Sequence, residues 1–119
     1  MEIIGMQSKN VDEMSDFIVD EMIGVFKEKV KDFVVKNEID EANHKSFSVE
    51  FGAYDYFPVI FNYDMGRMGC SICFGNRTME LNNSQQWWDE ADFDLFFKEL
   101  QTELELRIPD KFLKAHGWL

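Results

Sequence analysis

The chain has 119 residues and a mass of 14.1 kDa, with 23 acidic against 12 basic side chains and a formal net charge of -11. That charge argues against direct binding to a phosphate backbone, and a hydrophobic fraction of 45% with twelve Phe excludes a solvated acidic tail. The length fits one domain, and no apolar run approaches the ~20 residues of a membrane span. Residues 1–6 lack the basic region of a signal peptide, so the expected location is the cytoplasm.

Asn10 followed by Glu13 reads as a capping pair at the start of a helix. From there Val11, Met14, Phe17, Ile18, Met22, Val25, Phe26, Val30, Phe33 and Val34 recur at steps of three and four. The spacing predicts an amphipathic helix of about seven turns ending near Asn37. Asp12, Asp16, Asp20, Lys27 and Lys31 occupy its other face. So wide an apolar stripe suits core packing rather than a membrane or partner-helix surface.

Residues 38–44 read as a polar connection, after which the period changes to two. Phe47, Val49 and Phe51 alternate with Ser46, Ser48 and Glu50 in a first strand, and 52–56 read as a turn. Residues 57–63 form a second strand, with Pro58 near its start where a missing donor is tolerated. Asp64, Met65 and Gly66 turn into a third strand ending near Phe74. Gly75-Asn76 is a favourable hairpin dipeptide leading into a short fourth strand, 77–81. Asn82, Asn83 and Ser84 break the pattern, and residues 87–90 enter a second long helix with Asp89 or Asp92 as its cap. Phe93, Phe96, Phe97, Leu100 and Leu104 form the buried stripe of that helix. Pro109 stops it and begins a short terminal helix, for which Gly117 is the end signal. The expected fold is therefore a single two-layer α+β domain over 1–119. A four-stranded antiparallel meander is covered by an N-terminal and a C-terminal helix.

Chemistry is sparse. Cys70 and Cys73 make a C-x-x-C pair, but on a strand they point to opposite faces and open no helix, which disfavours both a disulfide and a thioredoxin-like site. A zinc site needs two further ligands, and only His44 and His116 are at hand, at irregular spacing. Two reduced, partly buried thiols are the expectation, with no metal and no cofactor. The glycines at 66, 69 and 75 surround a strand instead of joining strand to helix, so no phosphate loop is present. No serine sits in a nucleophile elbow, and no acidic pair adjoins a histidine at metal-ligand spacing. The chain is expected not to be an enzyme.

Binding chemistry has more support. Residues 80–110 hold nine acids and two bases, a net charge of -7 in about a quarter of the chain. Trp87 and Trp88 adjoin Asp89, Glu90, Asp92 and Asp94, and Tyr54, Asp55 and Tyr56 repeat the mixture in the first hairpin turn. Of two adjacent Trp, one is expected in the core and the other partly exposed. Exposed aromatics beside carboxylates suit a protein-binding site, because rings supply contact area and carboxylates match Lys and Arg. The plainer readings are helix-dipole compensation for Asp92 and Asp94, and rings folded back over the sheet edge.

A small, acidic, α+β chain with these aromatic-acidic segments and no catalytic groups resembles bacterial immunity proteins. These are the antitoxins of contact-dependent growth inhibition and related polymorphic toxin systems. The resemblance implies a cytoplasmic protein that binds and neutralises a cognate toxin domain, commonly a basic nuclease. It implies a partner-binding face that includes Trp87, Trp88, Asp89, Glu90, Asp92, Asp94, Tyr54, Asp55 and Tyr56, with no nucleic acid or membrane contacted directly. Two other readings fit the residues: a small enzyme or ligand-binding domain with a sheet-lined pocket, and an acidic mimic of nucleic acid.

Overall fold

The computed structural model describes residues 10–81 and 86–119. The expectations placed on residues 1–6 and on the break at Asn82, Asn83 and Ser84 lie outside the described residues.

The first helix, α1 (Val11–Phe26), begins as its sequence dictates. The Asn10 side chain accepts from the Glu13 amide at 2.8 Å, and the Glu13 carboxylate accepts from the Asn10 amide at 3.0 Å. Val11, Met14, Ile18, Met22 and Phe26 are its buried stripe. It stops far short of Asn37, which corrects the seven-turn reading. A 3-10 turn (Lys27–Lys29) follows, and the chain then runs as strand β1 (Val30–Glu41). The error has a physical cause. Asp32 and Asn37 adopt left-handed backbone, with φ of 60° and 58°, at the two register shifts of β1 against its neighbour. A bulge inserts one residue, so the inward-facing Val30 and Phe33 stand three apart instead of two. Val34, next to Phe33, points the other way and is exposed. Helical spacing is thereby imitated by a bulged strand.

The remaining strands are β2 (His44–Ala53), β3 (Phe57–Asp64), β4 (Arg67–Phe74), β5 (Arg77–Glu80) and β6 (Gln86–Trp87). They pair antiparallel in the order β1-β2-β3-β4-β5, and β6 continues along β4 beyond the end of β5. The sheet thus has six strands, and the expected four-stranded meander gains β1 and β6. Phe47, Phe51, Val59, Phe61 and Ile72 point to one face and are buried there. Ser48, Asn62 and Gly69 share a row on the opposite face, where the Ser48 hydroxyl donates to Asn62 at 2.6 Å. Cys70 is buried on the core side and Cys73 is half-buried on the other, and both are free thiols.

Helix α2 (Phe93–Glu105) starts at Asp92, whose carboxylate accepts from the Leu95 amide at 3.1 Å. Phe96, Phe97, Leu100 and Leu104 lie against the sheet beside α1, and the Phe61 ring lies 6.3 Å from that of Phe97. Helix α3 (Asp110–Ala115) follows Pro109, and Gly117 beyond it takes a φ of 75°. The two helices and the sheet make the α+β layout.

Lys27 joins α1 to β1 in a conformation with φ 58° and ψ -129°, a region costly for any residue with a Cβ. Lys27→Gly relieves about 1–3 kcal/mol of strain and adds roughly 0.5–1 kcal/mol of chain entropy cost. The expected outcome in urea unfolding is a net gain of about 1 kcal/mol; a loss of stability would contradict this backbone path.

Candidate functional site

The surface begins with the distribution of charge. Residues 10–26 carry five acids and no base, and residues 86–105 carry seven acids and one base, Lys98. Together they account for -11, the net charge of the whole chain, so every other residue sums to zero. These two segments contain α1 and α2, which pack side by side on one face of the sheet. Four of the acids elsewhere are paired: Asp55 with Lys31 at 2.6 Å, Glu50 with Lys36, Asp40 with Lys45, and Asp64 with His44 at 3.0 Å. Asp16, Asp20 and Glu21 on α1 face no cationic side chain within 4.0 Å among the described residues. On α2, Asp94 is bridged by Lys98 at 2.9 Å, whose pKa the carboxylate raises by hydrogen bonding, and Glu103 and Glu105 meet Arg107 and Lys29 at 3.0 and 3.9 Å.

At the N-terminal end of α1 more carboxylates gather. Asp40 accepts from the Val11 amide at 3.2 Å, and its pKa is lowered chiefly by the hydrogen bond from Lys45 and then by that amide. Glu38 titrates above its usual range through desolvation and through sharing a hydrogen bond with Asp12.

Trp87 and Trp88 divide as expected for adjacent residues. Trp88 is 2% exposed and Trp87 is 50% exposed. The Trp88 ring sits among Phe17, Tyr63 and Phe93 at centroid distances of 5.8, 5.3 and 4.9 Å. Its Nε1 finds no acceptor among the described residues, so it contributes packing area and no donor. Burial removes Trp88 from the surface that the sequence assigned it to. Trp87 is held from both sides along the chain. Residue pairing ties it to Arg67, and the Trp88 amide donates to the Gly66 carbonyl at 2.8 Å. The Trp87 ring lies over Gly66, whose φ of 96° demands glycine, and the Arg67 guanidinium sits 5.3 Å from its centroid. Beside it a depression of about 380 Å³ opens between the β1–β2 turn and the Met65-Gly66 turn. Ala42, Tyr63, Met65, Gly66 and Trp87 line it together with the polar Asn43, His44, Lys45 and Asp89. Glu90 is exposed close by.

Segment 54–56 lies at the other end of the sheet, in the β2–β3 turn, and does not join this cluster. Tyr54 is 0% exposed, so it too leaves the candidate surface. Its φ of 61° turns the side chain inward, where the hydroxyl donates to Glu105 at 2.6 Å and the ring meets Phe26 and Trp118 edge-on. Lys29 stands 3.9 Å from the same carboxylate. Desolvation, then the Glu105 bond, pushes the Tyr54 pKa far up. Asp55 is exposed but engaged by Lys31, and its pKa is lowered by that hydrogen bond. Tyr56 is 43% exposed and packs on Phe112 at 4.9 Å. What the sequence reading missed is the contribution of Met65, Gly66 and Arg67. The signal was there: a turn pair closing two alternating strands always brings its tip to a sheet end.

A smaller depression of about 240 Å³ is bordered by Asn62, Asp64, Arg67, Ser71 and Glu80. Tyr54 and Cys70, whose pKa values burial raises far, sit in the core and not in either depression. Among the described residues no group of three or more His, Cys, Asp or Glu is placed to hold a metal ion. No described helix is long and apolar enough to cross a membrane. Set against protein-family models, curated proteins and solved structures, the chain matches none of them.

The Tyr54–Glu105 bond carries a pH signature. A folded pKa above the unfolded value of about 10 favours the neutral phenol, so its stabilisation is complete below that pH and is lost as pH rises through it. Tyr54→Phe is expected to cost about 1–2 kcal/mol at neutral pH. It should also flatten the decline of stability above pH ~10 relative to the parent chain, because Cys70 and Tyr63 contribute equally to both. Parallel slopes in denaturant titrations at pH 9 to 11 would refute the assignment.

Proposed function

We propose that this protein is a cytoplasmic inhibitor of the immunity type, which binds a basic toxin domain through its helical layer and the Trp87 end of its sheet. The observation that carries the reading is the separation of charge. Concentration of charge on the two segments that contain α1 and α2, against a sum of zero over all other residues, gives the molecule one anionic side. A folded domain gains no stability from crowding like charges, which repel within the layer. A cationic partner gains rapid, oriented encounter from the same field. A nuclease fits that description, since its own cleft must hold phosphate and is positive for that reason. Exposed Trp87 and Met65 next to Asp89 and Glu90 add the contact area that charge alone does not supply.

The test is co-expression with the toxin-like product of the adjacent upstream reading frame, scored as growth rescue and a co-purifying complex. Absence of such a gene product, or of binding, would remove the reading. Kinetics then locate the steering surface. Asp16→Lys, Asp20→Lys and Glu90→Lys together are expected to slow association roughly tenfold at low ionic strength, with the effect shrinking as salt rises. Asp92 is left out because its carboxylate caps α2, and its reversal would report on helix stability instead.

A further inference from the structure

We infer that the depression beside Trp87 takes an uncharged aromatic or aliphatic side chain of that basic partner, and so fixes the lifetime of the complex. This rests on the inhibitor reading and adds a second, separable contact to it. Three observations carry the inference. Trp87 is exposed yet rigidly placed, with β-pairing to Arg67 on one side of the chain and the buried Trp88 on the other. A large side chain already fixed in the free protein loses little entropy on binding. Met65, 58% exposed at a turn tip, completes an apolar wall with Tyr63 and Ala42 around about 380 Å³ of open space. That volume accommodates one large side chain, and Trp, Met and Arg are the residue types enriched at interface cores.

The charge of the inserted group follows from what already stands there. Arg67 occupies a face of the Trp87 ring, and Lys45, which lines the depression, is ion-paired with Asp40. The cation-binding face of the ring is thus already taken, so an uncharged side chain suits the apolar wall, and the cationic side chains of the partner belong against Glu90 and the exposed acids of α1. The two contacts act on different rates: long-range carboxylates on association, the filled depression on dissociation.

The experiment has two arms on the full chain. In the first, p-cresol, the side-chain analogue of tyrosine, is titrated at millimolar concentration and followed by NMR. Shifts are expected at the Trp87 indole N–H and the Met65 methyl and are lost in Trp87→Ala. Equal shifts at the exposed Phe74 and Leu95, or their persistence in Trp87→Ala, would overturn the inference. In the second arm, Trp87→Ala and Met65→Ser are assayed against the co-purified toxin domain. Trp87→Ala is expected to speed dissociation roughly 30-fold with association nearly unchanged. Should acid reversal slow association while both variants dissociate like the parent, the anchor is wrong and the inhibitor reading stands. Should no basic partner bind at all, that reading falls, and the cresol arm alone decides whether the depression accepts a neutral ring.

Discussion

Two like-charged helices lie side by side in this protein, and the aromatic seam beneath them is what holds them there. Phe17 of α1 meets Phe93 of α2 edge-on at 5.1 Å, and Trp88 packs against both rings. Lower down, Phe96 and Phe97 sit over Phe61 of the central strand. Rings of this size bury large areas and prefer such edge-on arrangements, which add modestly to the gain from burial. The carboxylates stay on the solvent side, where water screens their repulsion. The six strands beneath hold seven acids and five bases, so they carry far less of the excess charge than the layer above them.

That division gives the two ends of the sheet different characters. At one end the β2–β3 turn is sealed: Tyr54 is buried under Trp118, bonded to Glu105 and approached by Lys29, while Tyr56 leans on Phe112. At the other, the Met65-Gly66 turn and the two residues of β6 project Trp87 outward and leave a hollow next to it. Similar Trp and Tyr motifs in the chain thus end in opposite roles. One set closes the C-terminal segment over the core, and the other is presented to solvent.

Much of this architecture was legible in the residues, and the failures have identifiable causes. The alternation in 46–51 and 57–63, the Gly75-Asn76 turn, the Asn10 and Asp92 caps and the Phe stripe of α2 are local signals, and each local preference agrees with the final fold. β1 was hidden because its bulges break the period of two that identifies a strand, leaving Val30, Phe33 and Val34 at helical spacing, and because residues 38–44 look like a polar connection. β6 is too short to show any period. The inward turn of Tyr54 depends on a positive φ that no β-turn rule assigns to tyrosine. The hollow beside Trp87 depends on strand register, which brings residues 42–45, 63–66 and 87–89 together from three parts of the chain.

The bulges in β1 have a consequence for the behaviour of concentrated solutions. A twelve-residue strand at the border of a sheet presents a row of unsatisfied amides and carbonyls to any neighbouring molecule. Here Asp32 and Asn37 interrupt that row at two places, and Lys31 and Lys36 stand close to the interruptions. No long straight template remains for an incoming chain to zip onto. The irregularities that disguise this strand in the sequence also guard the molecule against ordered self-assembly into fibres.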